Sequence, residues 1–205
     1  MKKYTFVFVC LVTLLGIAWA KTPPAKTFKA PQNAEGRNNQ QNAAITFNGK
    51  KFYLQYSVGN DQQMWLNEYL PTGSNFNNYT EMIALRSYEN SKATPQQIAQ
   101  MIAGNFTKQY PGVKFLLAAN DKTGDGLVSF IMVQGNILEH NIYRTTTKGG
   151  TPISLQYVYR KYCQDGEQRQ ACMSAFSQEV RTRRTEWINA LDGMPVPSVV
   201  RTVKQ

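Results

Sequence analysis

"AAITFNGKKFYLQYSV", residues 43–58, contains the pattern that decides the fold class: two extended runs joined by Asn48-Gly49. Asn-Gly is a strong hairpin signal, because both residues accept the positive φ angles of a tight two-residue turn. In the second run apolar side chains occupy every second position, at Phe52, Leu54 and Val58 among others. This alternation predicts a strand with one face buried and the other face in water.

Further extended runs follow on both sides of a predicted helix. The helix begins at Thr94-Pro95-Gln96-Gln97, where Thr94 is a capping residue, Pro95 suits the first turn and Gln97 completes a capping box. A second, long helix is predicted over about residues 167–191. The extended runs outside the hairpin are "MWLNEYLP" (64–71), "YTEMIALRSY" (79–88), "VKFLLAA" (113–119), "GLVSFIMVQ" (126–134), "ILEHNIYRTT" (137–146) and "ISLQYVYRKYC" (153–163).

The order of these elements predicts an α+β fold. Short connections between neighbouring strands favour an antiparallel sheet. We therefore expect a sheet of about six or seven strands with two helices packed on one face. The single domain is expected to span residues 43–194, followed by a Pro-containing coil over residues 195–205.

The N-terminus has the pattern of a signal peptide over residues 1–20. Lys2 and Lys3 precede an apolar run, and Ala18-Trp19-Ala20 matches the small-x-small cleavage pattern. The apolar run is shorter than the roughly 20 residues that a transmembrane helix needs, so we expect no transmembrane anchor. Removing this segment, which carries two lysines and no acidic residue, lowers the formal charge from +10 to +8.

Residues 21–42 contain three prolines and many Asn and Gln residues, which predicts a flexible leader. The positive charge of the remaining chain favours anionic partners, such as acidic glycans or other envelope components, or a protein partner. The basic residues are scattered, without a run of five, so nucleic acid is not the expected partner. Taken by itself, the scattered positive charge favours a basic surface that serves solubility alone.

Two cysteines remain after removal of the predicted signal peptide, Cys163 and Cys172. Export implies an oxidising compartment, in which paired cysteines usually form disulfides. Their C-x8-C spacing fits neither a C-x-x-C redox motif nor the common zinc sites. With His140 as the single histidine, we predict a Cys163–Cys172 disulfide, no metal and no cofactor.

The sequence has no motif of a known catalytic class. It contains no G-x-S-x-G elbow, P-loop or H-E-x-x-H motif. His140 shares a strand face with Leu138 and Ile142, which indicates a core histidine rather than a catalytic base. A carboxylate hydrolase built on Glu68, Glu81 or Glu139 stays open as an alternative, although solvated strand faces also explain these residues. We predict no catalytic residues.

Tyrosines in the last two predicted strands are the candidate ligand-binding residues. Tyr157 and Tyr159 share a strand face, and Tyr143 lies in the preceding strand. On an open face they could stack on sugars, bases or peptides; the alternative is that tyrosine simply favours strands. Arg184 is a further candidate, because it falls within the apolar stripe of the second helix. It either extends its guanidinium to water or is held by Glu81 or Glu139.

"WLNEYLPTGSNFNNYTEMI", residues 65–83, has a Glu-Tyr-x-Pro-x-Gly turn that leads into an aromatic residue and a strand. It resembles a stretch in small exported proteins of Gram-negative bacteria with no assigned function. The element order is also similar to that of the PsbP-like fold, an accessory architecture that is mostly non-enzymatic. The first resemblance implies an envelope or secreted protein, and the second implies an accessory rather than an enzymatic role.

The function we expect is that of a non-catalytic binding or accessory protein, exported to the bacterial periplasm or secreted. Its partner would be anionic or would stack on aromatic side chains. A secreted hydrolase with carboxylate chemistry and a secreted factor directed at a host are the alternatives. A cleft that contains two neighbouring carboxylates would favour the enzyme.

Overall fold

A computed structural model of the chain describes residues 5–6, 43–166 and 168–201. The predicted signal peptide (apart from residues 5–6), the predicted leader over residues 21–42 and the last four residues lie outside this part. The secondary-structure elements are β1 (Thr5–Phe6), β2 (Ala44–Phe47), β3 (Lys50–Asn60), β4 (Met64–Pro71), β5 (Glu81–Tyr88), α1 (Pro95–Gln109), β6 (Phe115–Ala119), β7 (Gly126–Gln134), β8 (Ile137–Lys148), β9 (Thr151–Tyr162) and α2 (Gln168–Gly193).

The described strands form one antiparallel sheet in the order β1-β6-β7-β8-β9-β5-β4-β3-β2. The predicted α+β class, the antiparallel sheet and the two helices are confirmed. The predicted number of six or seven strands is wrong. Each extended run of the sequence forms a strand of its own, which gives eight strands of four or more residues and the two-residue β1.

The two helices lie on opposite faces of the sheet, which corrects the prediction that they share one face. On β8, Ile142 packs in the cluster that includes α2, whereas the next residue, Tyr143, packs in the cluster that includes α1. Successive side chains of a strand point to opposite faces. Both faces of the central strands are therefore apolar, and each face needs a cover of its own.

The predicted capping box of α1 is confirmed. The Thr94 hydroxyl accepts a hydrogen bond from the Gln97 backbone N–H, and the Gln97 side chain accepts one from the Thr94 backbone. The first turn of α1 lies very close to the sheet at Gly126. A Cβ atom at this glycine would be 2.5 Å from Thr145 Oγ1 and 2.8 Å from Ala99 Cβ, so only glycine permits this approach.

Helix α2 and the C-terminal segment after it cover much of the other face. Phe176, Val180, Trp187 and Leu191 point from α2 into the largest apolar cluster. Beyond α2, residues 194–201 have no regular secondary structure and continue across the sheet. Val200 exchanges two backbone hydrogen bonds with the Asn67 side chain, at 2.7 and 2.8 Å. These bonds attach the segment to β4.

A disulfide joins Cys163, just after β9, to Cys172 in α2. The predicted pairing is therefore present in the structure. It attaches the N-terminal part of α2 to the sheet. Neither described helix is long and apolar enough to cross a membrane.

Candidate functional site

An open cleft of about 420 Å³ lies between α2 and the part of the sheet formed by β6, β7 and β8. Its volume is within the range of small-molecule binding sites, roughly 300–1,000 Å³. Apolar and basic side chains make up most of its lining. The lining residues are Lys114, Phe115, Leu116, Ser129, Phe130, Ile131, His140, Val180 and Arg184.

Strand alternation explains why polar side chains meet at the floor of the cleft. Ser129 and Ile131 are two residues apart on β7 and so point to the same face. Ile131 is directly opposite His140 in the β7–β8 register. The same face is covered by α2, which contributes Val180 and Arg184 as the wall.

Ser129 and His140 form a buried hydrogen-bonded pair. Ser129 Oγ and His140 Nε2 are 2.8 Å apart, and the two residues are 4% and 1% exposed. Burial, and secondarily the positive charge of Arg184, lower the pKa of His140 to about 4. His140 is therefore neutral at pH 7. Its Nδ1 atom has no hydrogen-bond partner among the described residues.

Two cations, Lys114 and Arg184, border the cleft. Both residues are exposed, and neither forms an ion pair with a described residue. Neither of the carboxylates that we considered as partners holds Arg184: Glu81 pairs with Lys50, and Glu139 pairs with Arg160. Arg184 thus reaches water beside the buried His140.

Two of the three candidate tyrosines, Tyr143 and Tyr157, are buried under the helices, and Tyr159 is half-buried against α2. Tyr157 is 1% exposed and packs against Trp187 of α2, with ring centroids 5.6 Å apart. Tyr159 stacks on Phe176 of α2 at 5.7 Å. Tyr143 is 4% exposed and packs in the α1 cluster. Strand propensity and core packing account for these residues, because each face of the sheet has a helix over it.

Two of the carboxylates considered for a hydrolase, Glu81 and Glu139, are hydrogen-bonded to other side chains. Glu139 accepts a hydrogen bond of 2.6 Å from Arg160 Nε, and the nearby cavity has a volume of about 20 Å³. A cavity of this size holds about one water molecule rather than a substrate. Burial raises the pKa of Glu68, although the charge of Arg86 opposes this effect. Glu81 accepts a hydrogen bond from Tyr157. Neither of the two cavities described here contains a pair of carboxylates in its lining.

Ser129 and Lys114 are site residues that the sequence interpretation missed. Ser129 is the polar position in the apolar run "GLVSFIMVQ", and Lys114 precedes the apolar run of β6. A polar residue on the inward face of a strand was the available signal for Ser129. Lys114 had no comparable signal, because its place beside α2 depends on tertiary packing.

A protein-family model matches residues 39–196, which include the whole sheet from β2 to β9 and both helices. The chain belongs to this family. The family description assigns no activity, ligand or partner. No curated protein matches the chain, and no solved structure matches it.

Proposed function

We propose that this protein is a non-catalytic binding protein of the bacterial envelope, exported to the periplasm or secreted, and that its cleft beside α2 binds an anionic ligand. One observation carries the proposal: Lys114 and Arg184 border an apolar cleft without an acidic partner among the described residues. An anion placed between the two cations would supply the missing charge.

The polar floor of the cleft supports the same interpretation. Ser129 and the neutral His140 offer hydrogen-bonding groups without adding a carboxylate that would repel an anion. Leu116, Ile131 and Val180 provide apolar surface. This combination suits a ligand with an anionic group and an apolar body, because small-molecule sites combine mostly apolar walls with a few polar groups.

Hydrolysis at the Ser129–His140 pair is a second candidate, which the 2.8 Å contact favours. Two properties argue against it. A general base works best with a pKa near the operating pH, and the pKa of His140 is about 4. The cleft lining also contains no Asp or Glu to orient the histidine ring. Hydrolysis of p-nitrophenyl acetate that disappears in Ser129→Ala would favour this candidate.

Export is supported by the pattern of residues 1–20 and by a disulfide that is compatible with an oxidising compartment. The resemblance at residues 65–83 to small exported proteins of Gram-negative bacteria agrees with this part of the proposal. N-terminal sequencing of the protein isolated from the periplasm or the culture medium tests this part. We expect the sequence to begin at Lys21; an N-terminus at Met1 would contradict it.

Anilinonaphthalene sulfonate, a fluorescent anion with an apolar body, tests the cleft directly. We expect the double variant Lys114→Gln/Arg184→Gln to bind this probe about tenfold more weakly, equivalent to about 1.4 kcal/mol. The control Lys122→Gln/Arg181→Gln removes the same charge at two exposed residues that do not line the cleft. Equal effects of the two double variants would show that net charge, rather than the cleft, attracts the anion.

A further inference from the structure

One strand next to the cleft has an edge that its neighbour leaves uncovered. Strand β7 continues to Gln134, but its pairing with β6 ends where Phe130 faces Phe115. Residues Ile131–Gln134 therefore pair with β8 alone among the described strands. In an antiparallel pair, alternate residues direct their N–H and C=O groups away from the partner. Half of the backbone groups of this stretch thus lie on the uncovered side.

The side chains of this stretch are apolar and exposed. Ile131 is 38% exposed and Val133 is 45% exposed, and both point to the face that carries α2. The nearby Phe115, at the start of β6, is 42% exposed. Natural proteins usually protect such an edge with charged residues or proline. The stretch "IMVQ" has neither, which indicates an edge that is kept available for pairing.

The uncovered edge is continuous with the cation-bordered cleft. Ile131 belongs to the edge and also lines the cleft together with Lys114 and Arg184. The short strand β1 does not occupy this place, since it pairs with Ala118 and Ala119 at the other end of β6. Its residues also lie within the predicted signal peptide, so cleavage before Lys21 would remove it. A ligand could therefore contact the backbone of β7 and the two cations at once.

We propose that the natural ligand is an extended protein segment that adds as a strand to Ile131–Gln134 and directs a carboxylate to Lys114 and Arg184. The proposal rests on the proposed function, since it names the class of anion that the cleft takes. Strand addition satisfies the uncovered backbone groups, and pockets for alternate side chains give specificity. A fatty acid would use the cations and the apolar surface but would leave the backbone groups of β7 without a partner.

The probes are the peptide acetyl-TVTVD with a free C-terminal carboxylate, two forms of it that carry N-methyl groups on alternate sets of backbone amides, and dodecanoate. Binding is followed by shifts of the protein's backbone amide signals in NMR. A strand uses only one alternate set of its N–H groups towards its partner. We expect the parent peptide to shift the signals of Ile131–Gln134. One N-methylated form should bind like the parent, and the other should bind at least about tenfold more weakly.

Equal binding of both N-methylated forms, or the absence of shifts at Ile131–Gln134 with the parent peptide, would overturn strand addition. Dodecanoate distinguishes a failure of the strand proposal from a failure of the proposed anion site. If dodecanoate binds in a manner that depends on Lys114 and Arg184 while the peptide does not bind, the anion site stands and the strand proposal fails. If neither probe binds and the sulfonate probe is also insensitive to the two cations, both proposals fail.

Discussion

Arg160, on the face of β9 opposite α2, and Arg184, on α2 itself, have very different surroundings. The guanidinium of Arg160 donates to Glu139 at 2.6 Å and lies 3.8 Å from the ring centre of Tyr79. The cavity beside it measures about 20 Å³. Arg184 has no acidic partner among the described residues and borders a cleft of about 420 Å³. The fold supplies the partner of the first arginine, and the second is available for a ligand.

The largest expected effect comes from removing the partner of the first arginine. Glu139→Gln leaves a mostly buried guanidinium without its counter-charge, since the Arg160 side chain is 16% exposed. Breaking a buried ion pair in this way costs about 3–5 kcal/mol. We expect urea denaturation to show a loss of this size. Arg184→Gln is the matched control and should stay within about 0.5 kcal/mol of the unmodified protein. Similar losses of stability in Glu139→Gln and Arg184→Gln would show that the two arginines do not differ in this way.

Acidification should lower the stability of the folded protein, because the buried His140 resists protonation. The folded-state pKa of about 4 is below the ordinary value of 6.5, so the unfolded chain binds a proton first as the pH falls. The contribution of neutral His140 to the stability of the folded state is complete above pH 6.5 and is lost as the pH falls to about 4. The free energy of unfolding should fall by about 3 kcal/mol over this range, at 1.36 kcal/mol for each unit of difference between the two pKa values.

Comparison with His140→Gln isolates this effect from the titration of carboxylates. The variant keeps a polar group beside Ser129 but does not titrate. Its free energy of unfolding should fall less between pH 7 and pH 4 than that of the unmodified protein. The free energy of unfolding is measured by urea denaturation at a series of pH values. An equal fall of this free energy in the two proteins would contradict the low pKa of His140.

Loss of the disulfide should have a somewhat smaller effect. Cys163 and Cys172 are nine residues apart, and closing so short a loop contributes about 2–3 kcal/mol on the chain-entropy estimate. We expect the double variant Cys163→Ser/Cys172→Ser to lose stability by this amount in urea denaturation. Because the disulfide attaches the N-terminal part of α2, amide exchange should increase more in α2 than in α1. Equal increases in both helices would show that the bridge does not act on the cleft wall.

The smallest effect on stability is expected for Arg184→Met. The side chain is exposed and has no acidic partner among the described residues, so its loss should change stability by less than about 0.5 kcal/mol. Binding of anilinonaphthalene sulfonate should nevertheless weaken. A large loss of stability would mean that Arg184 supports the fold, and unchanged binding would remove it from the site.

Local signals predicted much of the fold. The turn at Asn48-Gly49, the capping box at Thr94 and the Cys163–Cys172 bridge each depend on residues that are close in the chain, and each is present in the structure. The placement of the helices depended on a different kind of information. Alternation shows that a strand has two kinds of face, but it does not show which helix covers which face. The prediction that both helices pack on the same face of the sheet was therefore wrong.

The cleft could not be predicted, because its residues meet only through tertiary structure. Ser129 and His140 are on neighbouring strands, and their contact depends on the register of β7 and β8. Arg184 reaches them from α2, more than forty residues later in the chain. For Tyr157, strand propensity gave the correct element, but the helix over it decided that the ring belongs to the core.

Benzoate, a small aromatic anion, should bind in the cleft beside α2, and titration of the purified protein followed by its amide signals in NMR measures this binding. We expect the largest shifts at Lys114, Ser129, His140 and Arg184. Lys114→Gln/Arg184→Gln should abolish these shifts, whereas Lys122→Gln/Arg181→Gln should not. Shifts spread over the whole basic surface, or centred on Arg160, would show that the cleft beside α2 is not the anion-binding site.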